Sequence, residues 1–110
     1  ITVRSMLKNF VENAGYNVTT AVDGLDGFNK FSAAEFDLII SDIEMPRMNG
    51  FELTKRVRDS KTHSDIPVIL VTALESPTDM KMGMDAGADA YIVKSSFEKS
   101  NLIQTIKRFI

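Results

Sequence analysis

The sequence contains no cysteine, so it can form neither a disulfide bond nor a thiolate metal site. That composition suits a reducing compartment, and we expect a cytoplasmic protein. There is no surplus of basic side chains, because 13 lysines and arginines stand against 15 aspartates and glutamates, for a net charge of −2. Direct binding to nucleic acid or to an anionic membrane is therefore not expected.

Long apolar runs are also missing. The most apolar stretches, residues 36–40 and 67–71, have the length of a strand and fall far short of the ~18 residues that span a membrane. No secretory signal peptide is recognisable. The 110 residues, 44% hydrophobic and 25% charged, match the size and composition of one globular domain. Because the chain begins at Ile1 rather than Met, we expect it to be cut from a longer polypeptide.

Helical and strand-like patterns alternate along the chain. Apolar residues at helical spacing predict helices at residues 3–14, around 25–31, after the loop at 45–50, from the Ser76 cap to Gly87, and from about Glu98. Met80 and Met84 share a face of the fourth helix, so we expect them in the core. Strands are predicted at residues 16–21, 36–41, 67–71 and 90–93. Continuous apolar strands between helices indicate an α/β fold with a parallel sheet.

Three of these strands end on a polar residue that could take part in chemistry: Asp42, Thr72 and Lys94. Ligands of open α/β sheets bind at that edge. A carboxylate can act as a nucleophile, a hydroxyl can donate to an oxyanion, and an ammonium can neutralise charge. Each residue alone has an ordinary explanation, as a helix cap, a strand residue or a solvated end. Their occurrence on three successive strands favours a functional site.

At these positions the chain resembles the receiver domains of two-component signalling. The resemblance covers essentially all 110 residues and rests on Asp42 in DLIISD, the MPRMNG loop at 45–50, Thr72 and Ala73 in VILVTA, residues 85–91 (DAGADAY) and Lys94. It implies that Asp42 accepts a phosphoryl group and that Lys94 and Thr72 contact phosphoryl oxygens. It further implies that Tyr91 changes rotamer together with Thr72, and that Asp42 and the backbone carbonyl of Glu44 are ligands of Mg²⁺.

The resemblance implies a doubly wound, flavodoxin-like fold over residues 1–110. Its five-stranded parallel sheet has the order 2-1-3-4-5 and carries helices on both faces. Ile1 matches a position after the family's first strand, so we expect that strand, with its pair of Mg²⁺-binding acids, upstream of Ile1. Burial of the strand's apolar side chains would contribute roughly 1.5–3 kcal/mol each, so a domain without it should be fragile. A second departure is Ser95, where the family usually has proline.

The implied partners are a histidine kinase or a histidine phosphotransfer protein, whose phosphohistidine donates the phosphoryl group. The KSSF sequence at 94–97 is similar to receivers attached to chemotaxis-type hybrid histidine kinases. A homodimer through the fourth helix, the strand with Tyr91 and the last helix is a further expectation. The domain would be a phosphoacceptor that catalyses only its own phosphorylation and dephosphorylation, not an enzyme acting on other substrates.

Two other functions stay open. A degenerate receiver could serve only as a docking or dimerisation module, although the presence of Asp42, Thr72 and Lys94 argues against this. A phosphatase of the haloacid dehalogenase type also uses a strand-terminal aspartate, but it needs a second aspartate two residues later. Position 44 is glutamate, and 110 residues leave no room for a cap domain.

Overall fold

The computed structural model describes residues 3–45, 47–61, 63–94 and 99–110, with side chains from residue 7 onward up to 94 and again from 101. Within these ranges, helices and strands alternate through most of the chain. The helices are α1 (Val3–Asn13), α2 (Gly24–Ala33), α3 (Gly50–Arg58), α4 (Pro77–Ala86) and α5 (Lys99–Phe109), and the strands are β1 (Ile39–Ser41), β2 (Val68–Thr72) and β3 (Ala90–Val93). Here no helix is long and apolar enough to cross a membrane.

The three strands are parallel and lie in the order β1-β2-β3. Every residue of the central strand β2 is buried, as expected for a strand covered on both faces. Val68 and Leu70 face a cluster with α2 and α3, whereas Ile69 and Val71 face a cluster with α1 and α5. Alternate residues of a strand point to opposite faces, so β2 supplies the centre of both cores.

Local signals fix where the helices begin and end. The Ser76 hydroxyl accepts a hydrogen bond from the Asp79 backbone N–H at 3.1 Å. Pro77 occupies the first turn, where a backbone N–H would have no partner within the helix, so its absence costs no hydrogen bond. Gly87 ends α4 with a φ of 110°, a conformation that glycine adopts without strain. The ends of α4 therefore agree with the cap predicted from the sequence.

Residues 16–21 do not form the predicted strand, and no strand of the described chain pairs with them. A cleft of about 910 Å³ lies between this segment and β1, lined by apolar side chains that include Val18, Ile40 and Val71. The prediction at 16–21 is wrong because β-branched residues permit a strand, whereas a ladder also requires a neighbour within about 5 Å.

The expectation that Met80 and Met84 lie in the core is also wrong. Met80, Met82 and Met84 are 41%, 48% and 49% exposed, respectively. The buried residues of α4 are Gly83 and Ala86 instead. Helix α4 therefore packs on the sheet through its smallest residues and turns its longest apolar side chains outward.

The side chain of Arg58, at the end of α3, joins the segments that enter β2 and β3. Its guanidinium donates to the carbonyls of Ser64 (2.9 Å), Ile66 (2.6 Å) and Gly87 (2.9 Å), and it pairs with the Asp89 carboxylate at 2.8 Å. These residues precede β2 and β3. The Arg58 cluster therefore lies at the edge of the sheet opposite to the carboxyl ends of the strands.

Candidate functional site

The carboxyl ends of the strands bring Asp42 and Lys94 together. Asp42 directly follows β1 and Lys94 directly follows β3, on either side of the central strand. The Lys94 Nζ donates to Asp42 Oδ2 at 2.5 Å, with side chains that are 27% and 32% exposed. A charge-assisted bond of this length holds the carboxylate in one orientation. The partial exposure of both groups leaves them accessible to a reactant from solvent.

The second oxygen of Asp42 is held by the backbone of the loop that follows. Asp42 Oδ1 accepts from the N–H groups of Ile43 at 2.6 Å and Glu44 at 3.3 Å. The Gly50 N–H in turn donates to the Ile43 carbonyl at 2.9 Å, which closes the loop at the start of α3. A Cβ at Gly50 would lie 2.3 Å from the Asp42 carbonyl oxygen, so only glycine allows α3 to begin this close to Asp42.

The same loop also packs against the start of α2. A Cβ at Gly24 would lie 2.0 Å from the Met48 carbonyl oxygen, and Met48 itself is buried. The guanidinium of Arg47 lies 3.5 Å from the carboxylate of Asp23, which caps α2. These contacts join the loop after Asp42 to the start of α2. Sequence analysis missed them, because no local pattern signals a contact between segments this far apart in the chain.

Thr72, the last residue of β2, is fully buried beside this site. It is paired in register with Val93, the residue before Lys94. Its Oγ1 accepts a hydrogen bond from the Leu74 N–H at 3.2 Å. The Leu74 carbonyl accepts from the Tyr91 hydroxyl at 2.9 Å. The two backbone groups of Leu74 therefore connect Thr72 to Tyr91, a link that no side-chain motif signals.

Tyr91 also responds to the charges around it. Burial raises the pKa of Tyr91 above its ordinary value of 10.0, and the negative charges of Asp79 and Asp42 raise it further. The phenol therefore stays neutral at physiological pH and remains a hydrogen-bond donor. Because Asp42 contributes, a change of charge at Asp42 is felt electrostatically at Tyr91.

The structure thus places Asp42, Thr72 and Lys94 at one edge of the sheet, with Tyr91 linked to Thr72. Glu44 has an exposed side chain and lies two residues after Asp42 in the same loop. Among the described residues, no group of three or more acidic or histidine side chains could hold a metal ion. The prediction for Ser95 and the KSSF sequence beyond Lys94 concern positions that lie outside the described residues.

Comparison with known proteins gives a consistent result. The family model of the response regulator receiver domain matches residues 1–107. A structure of the chemotaxis protein CheY4 from Vibrio cholerae is 37% identical, with a TM-score of 0.90 over 100% of this chain and 91% of that chain. The receiver domain of a signal transduction histidine kinase from Syntrophus aciditrophicus is 33% identical, with a TM-score of 0.87 over 96% and 79%. These likenesses confirm the predicted flavodoxin-like fold.

The curated relatives are longer than this chain. The gliding motility regulatory protein of Myxococcus xanthus is 40% identical over 98 residues, which make up 89% of this chain and 13% of that protein. The chain spans less than half the length of the next transcriptional regulators that it matches, 43% in one and 47% in two others. The similarity thus concerns one domain of each relative.

Proposed function

Because the chain belongs to the family of response regulator receiver domains, and so is a signalling phosphoacceptor, we propose that Asp42 is the residue that accepts the phosphoryl group. The donor is the phosphohistidine of a histidine kinase or of a histidine phosphotransfer protein. The observation that carries this assignment is the ion pair between Asp42 Oδ2 and Lys94 Nζ at the carboxyl end of the sheet. It supplies an oriented carboxylate nucleophile with a cation beside it.

The transfer needs little from the protein beyond position and charge. A carboxylate oxygen of Asp42 forms a bond to phosphorus while the bond from phosphorus to the histidine nitrogen breaks, and the nitrogen keeps that electron pair. Lys94 then neutralises charge on a phosphoryl oxygen. The Ile43 and Glu44 N–H groups hold the other carboxylate oxygen during the attack. The buried hydroxyl of Thr72 can turn from Leu74 to donate to the new phosphoryl group.

Mg²⁺ fits the donor chemistry of this edge, because its preferred ligands are oxygens. The carboxylate of Asp42 and the backbone carbonyl of Glu44 are the two groups that would hold it. When bound, the ion neutralises charge shared by the carboxylate and the incoming phosphoryl group. Two protein oxygens are few for an octahedral ion, so these residues alone make a weak site.

We also propose that the face made of α4, β3 and α5 is the surface through which the phosphorylated domain contacts a partner or a second copy. The exposed methionines of α4 support this, because flexible thioether side chains adapt to varied apolar surfaces. Tyr91 in β3 connects this face to Thr72. Sedimentation velocity with and without phosphorylation tests the homodimer, which requires a rise in mass on phosphorylation.

The test of Asp42 is incubation with acetyl phosphate and Mg²⁺, followed by mapping of the acid-stable, base-labile acyl phosphate by mass spectrometry. We expect the label on Asp42 and its loss in Asp42→Asn. Asp37→Asn is the matched control, because Asp37 is an exposed aspartate in the segment before β1. Labelling of Asp42→Asn at the wild-type level would refute the assignment.

A further inference from the structure

Helix α4 contains a buried glycine in its interior, at Gly83. Glycine weakens a helix relative to alanine, because its backbone loses more conformational freedom on folding. The positive-φ glycines of the described chain are Gly15 and Gly87, so the backbone at Gly83 does not itself require glycine. The reason for a glycine must therefore lie in what surrounds the position.

The space where a side chain would begin is filled by the ring of Tyr91. A Cβ at Gly83 would lie 3.0 Å from Tyr91 Cδ2 and 3.1 Å from Leu70 Cδ1. Both distances are shorter than the ~3.5–4.0 Å of favourable contact between carbon atoms. Leu70 is fully buried in β2, where close packing restricts its movement, whereas Tyr91 is only half-buried. Tyr91 is therefore the side chain that would have to move.

The position of that ring decides whether the Tyr91 hydroxyl reaches the loop after Thr72. The hydroxyl donates to the Leu74 carbonyl at 2.9 Å, while the Leu74 N–H donates to Thr72 Oγ1. A ring displaced from beneath α4 takes its hydroxyl away from Leu74, because the phenol is rigid and has one point of attachment. The link between Thr72 and Tyr91 is then weakened.

We propose that Gly83 is the positioning residue for Tyr91, whose missing side chain lets the ring lie beneath α4 and bond to Leu74. The regulatory meaning of this placement rests on the proposed phosphorylation of Asp42, but the placement itself does not. In Gly83→Ala the methyl group pushes the ring away from α4 by a few tenths of an ångström, which weakens the bond between the Tyr91 hydroxyl and the Leu74 carbonyl. The added methyl group thus weakens the connection between the site at Asp42 and the face made of α4, β3 and α5.

The placement is tested by ¹⁹F NMR of protein that carries 3-fluorotyrosine in a Tyr16→Phe background, where Tyr91 is the remaining tyrosine. We expect Gly83→Ala to shift the Tyr91 resonance toward that of a solvent-exposed fluorotyrosine. Gly27→Ala is the matched control, because a Cβ at this helical glycine would lie 3.6 Å from its nearest neighbour, Ala21 Cβ. An unchanged Tyr91 resonance in Gly83→Ala would overturn the proposal.

A double-mutant cycle keeps the test decisive if Gly83→Ala is poorly folded. We expect Gly83→Ala to lower the Tm more when Tyr91 is present than in a Tyr91→Ala background, where Leu70 Cδ1 is the remaining close neighbour. Gly27→Ala should raise the Tm in both backgrounds, since alanine is the better helix former. Equal changes in Tm for Gly83→Ala in both backgrounds would show that the ring is not what the glycine accommodates.

The regulatory part is tested by phosphorylation with acetyl phosphate and Mg²⁺ in the fluorinated protein. In the parent protein we expect the Tyr91 resonance to shift upon labelling of Asp42, and in Gly83→Ala we expect labelling without that shift. The full parental shift in labelled Gly83→Ala would contradict the regulatory role. If Asp42 accepts no label in any variant, the proposed function fails, while the NMR and Tm results on unlabelled protein still decide the role of Gly83.

Discussion

Among the charged side chains of α3, that of Arg58 should contribute most to the free energy of unfolding. Arg58→Met keeps the apolar stem but removes all four bonds of the guanidinium, three of them to carbonyls. Hydrogen bonds from charged groups are worth about 1.5–3 kcal/mol each. Water can replace part of this, because the Arg58 and Asp89 side chains are 22% and 37% exposed. We therefore expect a loss of about 3 kcal/mol, roughly half of the lower total for four such bonds.

Urea denaturation and thermal melting measure this loss. With an unfolding entropy of roughly 2.1 cal/mol/K per residue, 3 kcal/mol corresponds to a fall in Tm of about 13 °C. Arg58→Lys should lie between wild type and Arg58→Met, since one ammonium cannot reach three carbonyls on two segments at once. Arg56→Met, at an exposed position of the same helix, is the control and should change stability by less than ~0.5 kcal/mol.

The location of the Arg58 cluster makes the prediction specific. It lies at the edge of the sheet opposite to Asp42, so Arg58→Met should reduce stability without changing the initial rate of phosphorylation. High salt should weaken the effect only slightly, because the carbonyl acceptors carry no net charge. A loss of unfolding free energy below ~1 kcal/mol in Arg58→Met would refute the reasoning that these bonds stabilise the folded state.

Three further outcomes follow from the site. Thr72→Ala should still be labelled by acetyl phosphate but should lose the phosphorylation-dependent gain in partner affinity, measured by calorimetry; an unchanged gain would contradict the link through Leu74. The pKa of Tyr91 should exceed 10.0 in an absorbance titration of Tyr16→Phe, because burial and then the carboxylates of Asp79 and Asp42 disfavour the phenolate. The stability that this shift provides is complete below about pH 10 and is lost as the pH rises through the raised pKa. A measured pKa of Tyr91 at or below 10.0 would contradict the prediction. Mg²⁺ should bind the 110-residue chain weakly, and an added upstream apolar strand ending in two acids should raise both Mg²⁺ affinity and Tm; equal values with and without it would show that the strand is dispensable.

Features that depend on nearby residues were predictable from the sequence. The cap formed by Ser76, Pro77 and Asp79 acts within one turn of α4. The continuous apolar sequence of β2 by itself indicates a strand that is buried on both faces. Asp42, Thr72 and Lys94 could be placed together because parallel strands end at a common edge. The strand order then fixes the pair of Asp42 and Lys94 across β2.

Features that depend on distant residues were not predictable in the same way. Residues 16–21 have the composition of a strand, but pairing needs a neighbour that no local pattern reveals. Helical spacing places Met80 and Met84 on one face of α4 without telling which face is buried. The structure buries the side with Gly83 and Ala86, and at Gly83 the side chains of Leu70 and Tyr91 leave little room for a longer side chain.

The link between Thr72 and Tyr91 is made by main-chain atoms of Leu74, and this bears on how the domain can change in evolution. Every residue other than proline supplies the same N–H and carbonyl groups. The side chain at position 74 can therefore diverge, within the limits of its packing, and acquire new contacts while the connection persists. Leu74→Pro is the one replacement whose chemistry removes the N–H that Thr72 accepts. Position 74 thus combines an invariant backbone role with a side chain open to variation.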